Sequence, residues 1–523
     1  MNIQASIAFN KKETQIKRAL ISVYDKTGLA ELATALHKQG VTIVSTGGSA
    51  RFIRDAGIPV EEIEDLTGIP EMLNGRLKSL HPIVHGGLLA RQNYEKDMDE
   101  LSRHNIMPFQ LLVVNLYPFQ EVILKDISLE DAMENIDIGG PAMIRSAAKN
   151  VDHLCVLTEP ESYEELIDKL DAKGTVDFNF RLRMSHKAFL RASVYDTAIS
   201  NYLLEKTSTG FPESLTLNFP KFSALRYGEN PHQAAAVYGN LNETINVLHG
   251  RQLSYNNYLD VDAAVKIVQD FNDENPTVAI IKHTIPSGVA TAPAAKEAWQ
   301  KAFATDKMSP FGGIVALNCR LDLNTAKEID KVFTEIIIAP EFDDDALEML
   351  KQKEKRRLVK LKSLSSVEKK YNYRSVLGGI LCQQPDNVSL DFRNLRTVTK
   401  IKPSDEQFED LLFAWKVVKR VNSNAVVYAR NLQTLGIGSG QPSRVDASEF
   451  AVFKAGKYGL PLDGSVVASD AFFPFADGIE AAAKAGAKAI IQPGGSIRDD
   501  EVIAAANKYG MAMVFTGIRH FKH

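Results

Sequence analysis

The sequence predicts an α/β protein of more than one domain, with a parallel sheet in its N-terminal part. Two observations carry that prediction. A chain of 523 residues is longer than one hydrophobic core organises. Residues 18–60 alternate short apolar runs with amphipathic stretches, and the resulting βαβα order implies parallel strands joined by right-handed crossovers.

Residues 19–23 read as a short strand, after which Asp25-Lys26-Thr27-Gly28 turns the chain into a helix with Leu29, Leu32, Ala33 and Leu36 on one face, ended by Gly40. A second strand occupies residues 41–45, Thr46-Gly47-Gly48-Ser49 makes a turn, and residues 50–56 form a second helix stopped by Gly57. Strand-to-helix turns gather free backbone N–H groups that suit a phosphate, although glycine here equally serves a tight connection. Residues 111–116 are a continuous apolar run of the kind central in a parallel sheet; they deliver Asn115, Tyr117 and Phe119 to the strand's end, where Pro118 stops the ladder. Asp137-Ile138-Gly139-Gly140 leads into a helix over 141–149, so a carboxylate, two bare amides, Arg145 and Lys149 are expected to converge. Residues 160–206 are helical and charged, and 207–212 are the linker candidate, giving domains of 1–210 and 211–523.

The second half opens with a turn-rich cluster at 225–232, and a buried strand over 278–281 ends in Lys282 and His283. A strand over 425–428 follows Asn422-Ser423-Asn424, and the chain closes with helix 479–485, strand 487–491, helix 501–508 and strand 511–515. The polar clusters near 282 and 424 suggest a duplicated α/β unit, and the basic tail 517–523 is expected to fray.

Lys plus Arg 61 against Asp plus Glu 65 leaves a net charge of −4, which offers no global field for nucleic acid or an anionic membrane. Cys155, Cys319 and Cys382 are too dispersed for a disulfide framework or a structural zinc. No apolar run reaches the roughly 18 residues of a membrane span, and residues 1–17 lack the core of a secretory signal, so a cytoplasmic enzyme is expected. The stretch 75–87 concentrates Arg76, Lys78, His81 and His85 between glycines. If it is extended, Arg76 and Lys78 share one face and suit an anion; a solvated surface loop is the alternative. His81 and His85 have no nearby Cys or carboxylate to complete a zinc site.

Residues 75–87, 115–119, 137–149, 225–232, 282–288, 438–444, 470–475 and 519–523 occur in the order found in the bifunctional purine biosynthesis family. That family combines aminoimidazole carboxamide ribonucleotide (AICAR) transformylase with inosine monophosphate (IMP) cyclohydrolase, and the chain resembles it along nearly its whole length. The resemblance implies an N-terminal methylglyoxal-synthase-like parallel-sheet domain for ring closure, followed by two cytidine-deaminase-like α/β domains for formyl transfer, split near 385–400. The second half lacks the His-x-Glu and Pro-Cys-x-x-Cys elements of zinc deaminases, so no catalytic metal is expected. The family also implies 10-formyltetrahydrofolate as cosubstrate, AICAR, its formylated product FAICAR and IMP as ligands, and a homodimer with transformylase sites at the interface.

Carried over by motif, the resemblance makes His283 the base of formyl transfer, Lys282 its electrostatic partner and Asn424 the donor to the formyl oxygen. Arg226, Tyr227, Arg444 and Arg519 hold the nucleotide, and Phe472 and Phe475 wall the folate unless both are core. For ring closure it implies Lys78, Tyr117, Asp137 and Lys149, with the lysines on oxyanions and Asp137 on a proton. Asp25, Lys26, Thr27, Ser45, Thr46, Gly47, Gly48, Ser49, Arg76, Asn115, Gly139 and Gly140 are then substrate contacts. Ile285 and Ser287 stand where bacterial relatives commonly have Asn and Cys, which leaves that loop without a cysteine nucleophile. Two other readings stay open: a phosphate lyase with a non-catalytic dimerisation module, and a nucleotide sensor without turnover.

Overall fold

The computed structural model describes residues 9, 11–125, 127–207, 210–272, 274–362, 371–388 and 390–523; positions 208 and 209 of the expected linker lie outside the described residues. The chain folds as two units, Met1–Asn218 and Phe219–His523.

The first unit is organised by five parallel strands: β1 (Arg18–Ser22), β2 (Thr42–Ser45), β3 (Glu61–Glu62), β4 (Leu111–Val114) and β5 (Cys155–Leu157), in the order β3-β2-β1-β4-β5. The chain adds strands on one side of β1, then returns to place β4 on its other side. The gap between the C-terminal ends of β1 and β4 is therefore a topological switch point, where open α/β sheets bind ligands. Helix α1 (Leu29–Lys38) buries the four apolar residues its periodicity marked. Helix α2 (Gly47–Asp55) begins earlier than expected, with Thr46 as N-cap, so Gly47, Gly48 and Ser49 form its first turn instead of a separate loop. Helices α3 (Pro82–Leu89), α4 (Gly139–Lys149) and α5 (Phe178–Thr207) complete the unit's frame.

The second unit carries one element order twice. The first run is β6 (Ile245–His249), α6 (Tyr255–Gln269), β7 (Thr277–Lys282), β8 (Ile285–Thr291), α7 (Ala295–Thr305), β9 (Ile314–Leu317), α8 (Leu323–Asp330), β10 (Ile336–Ala339), α9 (Asp344–Lys351) and β11 (Arg357–Leu361). The second is β12 (Arg396–Thr397), α10 (Asp405–Val418), β13 (Val426–Arg430), β14 (Gln433–Gly438), α11 (Arg444–Lys457), β15 (Val466–Ser469), α12 (Asp477–Lys484), β16 (Ala489–Gln492), α13 (Asp499–Lys508) and β17 (Ala512–Phe515). All twelve strands form one sheet, ordered β6-β11-β10-β9-β7-β8-β14-β13-β15-β16-β17-β12, with the runs meeting at the antiparallel pair β8–β14.

Corresponding residues do corresponding jobs. A Cβ on Gly288 of β8 would lie 2.0 Å from the carbonyl oxygen of Ala302 in α7, and one on Gly436 of β14 would lie 2.2 Å from that of Ala451 in α11. Each helix is thus seated directly on its strand. Both α6 and α10 open with a capping box, Ser254 with Asn257 and Ser404 with Gln407. The sequence suggested the duplication at the wrong register: Lys282 ends β7 while Asn424 precedes β13, so the counterpart of Lys282-His283 is Arg430-Asn431.

Strands β7 and β13 run in opposite directions because three antiparallel pairings separate them. The C-terminal end of β7, the N-terminal end of β13 and the C-terminal ends of β14 and β15 consequently share one sheet edge. Strands β16 and β17, parallel to β15, end there too.

Candidate active sites

In the first unit, the loops after β1 and β4 are locked together at the switch point. Asn115 accepts hydrogen bonds from the backbone N–H groups of Tyr24 (2.6 Å) and Asp25 (3.0 Å) and donates to the carbonyl of Asp25 (2.8 Å). Asp25 in turn accepts from the Thr27 hydroxyl (2.7 Å) and N–H (2.9 Å), which holds its carboxyl below the usual range. The Lys26 ammonium donates to the Tyr24 carbonyl at 3.3 Å. The Ser45 hydroxyl donates to the Ile21 carbonyl (2.8 Å) and the Ser49 hydroxyl to the Val23 carbonyl (2.9 Å), while the Thr46 hydroxyl donates to the Ser22 hydroxyl (2.8 Å). These hydroxyls brace β1 against α2, which leaves the N-terminal turn of α2 at Gly47 and Gly48 as the group suited to an anion.

Asp137 sits over this crevice, half-buried. Its carboxylate accepts the N–H of Gly140 (2.8 Å) and that of Tyr117, yet burial outweighs both and its pKa is raised. A Cβ on Gly140 would fall 2.5 Å from Asp137 Oδ2, and one on Gly139 would fall 2.5 Å from the Ser79 hydroxyl oxygen. Glycine at both positions lets the chain pass between these groups and brings the loop bearing Lys78 alongside. The Tyr117 ring is 51% exposed and packs 5.1 Å, centroid to centroid, from Tyr24.

The stretch 75–87 is not extended. Leu73, Asn74 and Gly75 have positive φ, and Met72 bridges to Leu77 across a tight loop. Lys78 pairs with Glu71 (2.5 Å) and Arg76 with Glu134 (3.1 Å), so the two cations are held by different carboxylates. The His81 Nδ1 accepts from the Ile83 N–H and caps α3, while His85 Nδ1 lies 2.9 Å from the Ser146 hydroxyl. Lys149 stands in the last turn of α4, whereas Asp137 accepts the Gly140 N–H in its first. With 11 residues between helix ends at about 1.5 Å each, Lys149 does not converge with Asp137 as expected.

In the second unit, the transformylase candidates gather on the shared sheet edge. The hairpin between β7 and β8 presents an exposed His283, and the Lys282 ammonium donates to the Phe311 carbonyl at 2.9 Å. Asn424 donates to the carbonyls of Gln441 (2.9 Å) and Pro442 (3.1 Å), pinning the loop that leads to Arg444. Arg444 opens α11 and is held by the fully buried carboxylate of Asp470 (2.7 Å) and the Phe472 carbonyl (3.1 Å). Asp470 also accepts the Ser423 hydroxyl (2.5 Å), so one buried charge orders both Arg444 and the residue preceding Asn424. Phe472 is half-buried; Phe475 is 46% exposed, with the Arg498 guanidinium 4.6 Å from its ring centre. Arg226 stacks on Tyr227 (4.8 Å) in a ribbon whose Glu229 carbonyl accepts from Asn256 in the first turn of α6.

The tail is docked, contrary to the expected fraying. His520 is 2% exposed and lies 2.6 Å from Asp386, and Ser423 and Lys522 exchange two hydrogen bonds, of 2.9 and 3.1 Å. This brings Arg519, exposed and stacked on Phe521, to the edge where Asn424 lies. Among the described residues, no group of three or more His, Cys, Asp or Glu side chains is arranged to hold a metal ion.

Ser423 and Asp470 lie in motifs marked by the sequence but had no role assigned to them there, and Asp260 was not marked. Asp260 had a legible signal, since Ser254-x-x-Asn257-x-x-Asp260 recurs as Ser404-x-x-Gln407-x-x-Asp410. The partnership of Asp470 with Arg444 spans 26 residues and had none.

A family model described as AICARFT/IMPCHase bienzyme matches residues 147–454, and one described as MGS-like domain matches residues 28–142. The bifunctional purine biosynthesis protein PurH of Chloroflexus aurantiacus is 52% identical over 98% of this chain and 99% of its own. Those of Persephonella marina and Chlorobium phaeobacteroides are 49% and 48% identical over 97% of this chain and 100% and 99% of theirs. The chain belongs to the AICARFT/IMPCHase bienzyme family, and its activities are AICAR formyl transfer and IMP cyclohydrolysis.

Proposed function

We propose that the two reactions are divided between the units, with ring closure at the β1/β4 switch point and formyl transfer at the edge carrying Lys282 and His283. The observation that supports this is that each set of candidate residues, Lys149 excepted, gathers at one edge of a different sheet.

In formyl transfer, the AICAR amine attacks the formyl carbon of 10-formyltetrahydrofolate. His283 accepts the amine proton while Lys282 and Asn424 stabilise the oxyanion. Collapse breaks the bond to the folate nitrogen, which takes up a proton as tetrahydrofolate leaves. Arg226, Tyr227, Arg444 and Arg519 anchor the nucleotide, and Phe472 with Phe475 flanks the pterin. Asn424 must first exchange a loop carbonyl for the ligand.

In ring closure, the carboxamide nitrogen attacks the formyl carbon within one molecule, and proximity supplies much of the rate. Asp137 exchanges the proton that converts the hydroxyl into departing water, and its raised pKa suits that task. Lys78 turns from Glu71 to the oxyanion and Tyr117 covers the base. The N-terminus of α2 holds the phosphate, while Asp25, Asn115, Ser45 and Ser49 shape the crevice behind it. Lys149 is given no step. A homodimer is supported by Phe450 and Phe453, 43% and 63% exposed on the helix that begins with Arg444. A cytoplasmic location is supported by three free cysteines.

Lys78→Ala is expected to abolish conversion of FAICAR to IMP while formyl transfer to AICAR proceeds, and His283→Ala to do the reverse. Assaying each step separately in folded protein decides this; loss of both activities from either change would defeat the two-site assignment.

A further inference from the structure

Both residues at the tip of the β7–β8 hairpin, His283 and Thr284, have positive φ, 52° and 63°. Neither is glycine, and the left-handed region is least favourable for a β-branched residue such as Thr. Something outside the hairpin must hold it there. Asp260, one and a half turns into α6, is the group in place: its Oδ1 accepts the Thr284 N–H at 2.6 Å, and the same carboxylate accepts the N–H of His283. Desolvation raises the pKa of this half-buried acid, opposed by those two hydrogen bonds and by the nearby His283 and Lys282.

The duplication provides an internal comparison. In the second run, Asn431 and Leu432 sit at φ 52° and 54°, and Asp410 of α10 accepts their N–H groups at 2.9 and 2.7 Å. The same carboxylate fork thus shapes both hairpins. Only the first tip carries an imidazole and follows a lysine; the second carries Asn431 after Arg430, whose guanidinium is engaged by the Asp463 carbonyl.

We infer that Asp260 is a positioning residue for formyl transfer, fixing through two backbone N–H groups the direction in which His283 and Lys282 face the substrate. The inference rests on the proposed role of His283. The fork is common to both hairpins, and at the one that carries His283 the group it aims is a base. Asp260 itself touches no substrate and exchanges no proton.

The test uses the full-length protein and compares Asp260→Asn and Asp260→Ala with Asp410→Ala. Asn keeps one acceptor for the hairpin, so kcat for formyl transfer should fall in the order wild type, Asn, Ala, with the Ala variant down at least about tenfold. KM for AICAR should stay within about threefold and FAICAR cyclisation should be unchanged. Asp410→Ala should lose comparable thermal stability yet keep kcat within about twofold, because its hairpin presents no base. Equal kcat losses in Asp260→Ala and Asp410→Ala, scaling with the fall in Tm, would overturn the inference in favour of a purely structural fork. His283→Ala run alongside separates the two levels. If it leaves kcat intact, the assignment of His283 has failed; if it abolishes turnover while Asp260→Ala does not lower it, only the positioning claim has.

Discussion

Asp137 carries two opposed demands in one side chain. Two backbone N–H groups favour its ionised form, while burial disfavours it and prevails, so its pKa lies above the ordinary carboxylate value. A raised folded-state pKa means that the group's favourable contribution is present at low pH and is lost as pH rises through the folded pKa. Ionised Asp137 therefore costs stability at neutral pH, in keeping with strain held at a functional site. Asp137→Asn removes the titration. The difference in Tm between variant and wild type should move in the variant's favour from pH 4 to pH 7, while ring closure is lost. Thermal melts across that range check the sign, and a pH-independent difference would show that the carboxyl is not the raised group. The sequence marked Asp137 as a carboxylate two positions ahead of a glycine pair. Its raised pKa was not readable, because the burial behind it comes from elements distant in the chain.

Helix α11 shows how an element is placed by what is absent from a strand. A Cβ on Gly438, the last residue of β14, would lie 1.8 Å from the carbonyl oxygen of Ala447, one turn into α11. Gly438→Ala must push the helix off the sheet, at about 1–3 kcal/mol of stability. Because Arg444 begins that helix, the KM for AICAR should rise more than kcat falls. Denaturant midpoints and steady-state kinetics on the same preparation measure both; an unchanged KM would mean that the helix seat does not set Arg444. At this scale the sequence was most legible where periodicity is local, as in α1, whose apolar face comes entirely from spacing. It failed at α2 and α4, read as starting after their glycine pairs. Glycine there costs helix propensity, but in the first turn of α4 that cost is offset by the Asp137 carboxylate on the Gly140 N–H. It failed again at the tail, whose partners Ser423 and Asp386 are about a hundred residues or more away.

For the whole molecule, the duplication explains why one sheet edge collects residues from such distant segments. Joining two like runs through antiparallel β8 and β14 turns the second run over, so the end of β7 meets the start of β13. The counterpart edge does not repeat the chemistry: Ala295 stands where α11 has Arg444, and Asn431 where the first hairpin has His283. The runs are also tied by charge. Arg420, after α10, donates to both carboxylate oxygens of Asp270 at the end of α6, at 2.5 and 2.7 Å, with side chains only 18% and 16% exposed. Removing one partner of such a pair leaves the other charge poorly solvated, at about 3 kcal/mol or more. Since the pair bridges the two runs, they should unfold together, while the first unit, with its own sheet and core, unfolds by itself. Calorimetry of Arg420→Ala should then show one transition moved down and another in place. Formyl transfer should be lost at the lower temperature while cyclisation survives to that of the wild type. If both activities were lost at the lowered temperature, the two units would form one cooperative body and stability could not be assigned unit by unit.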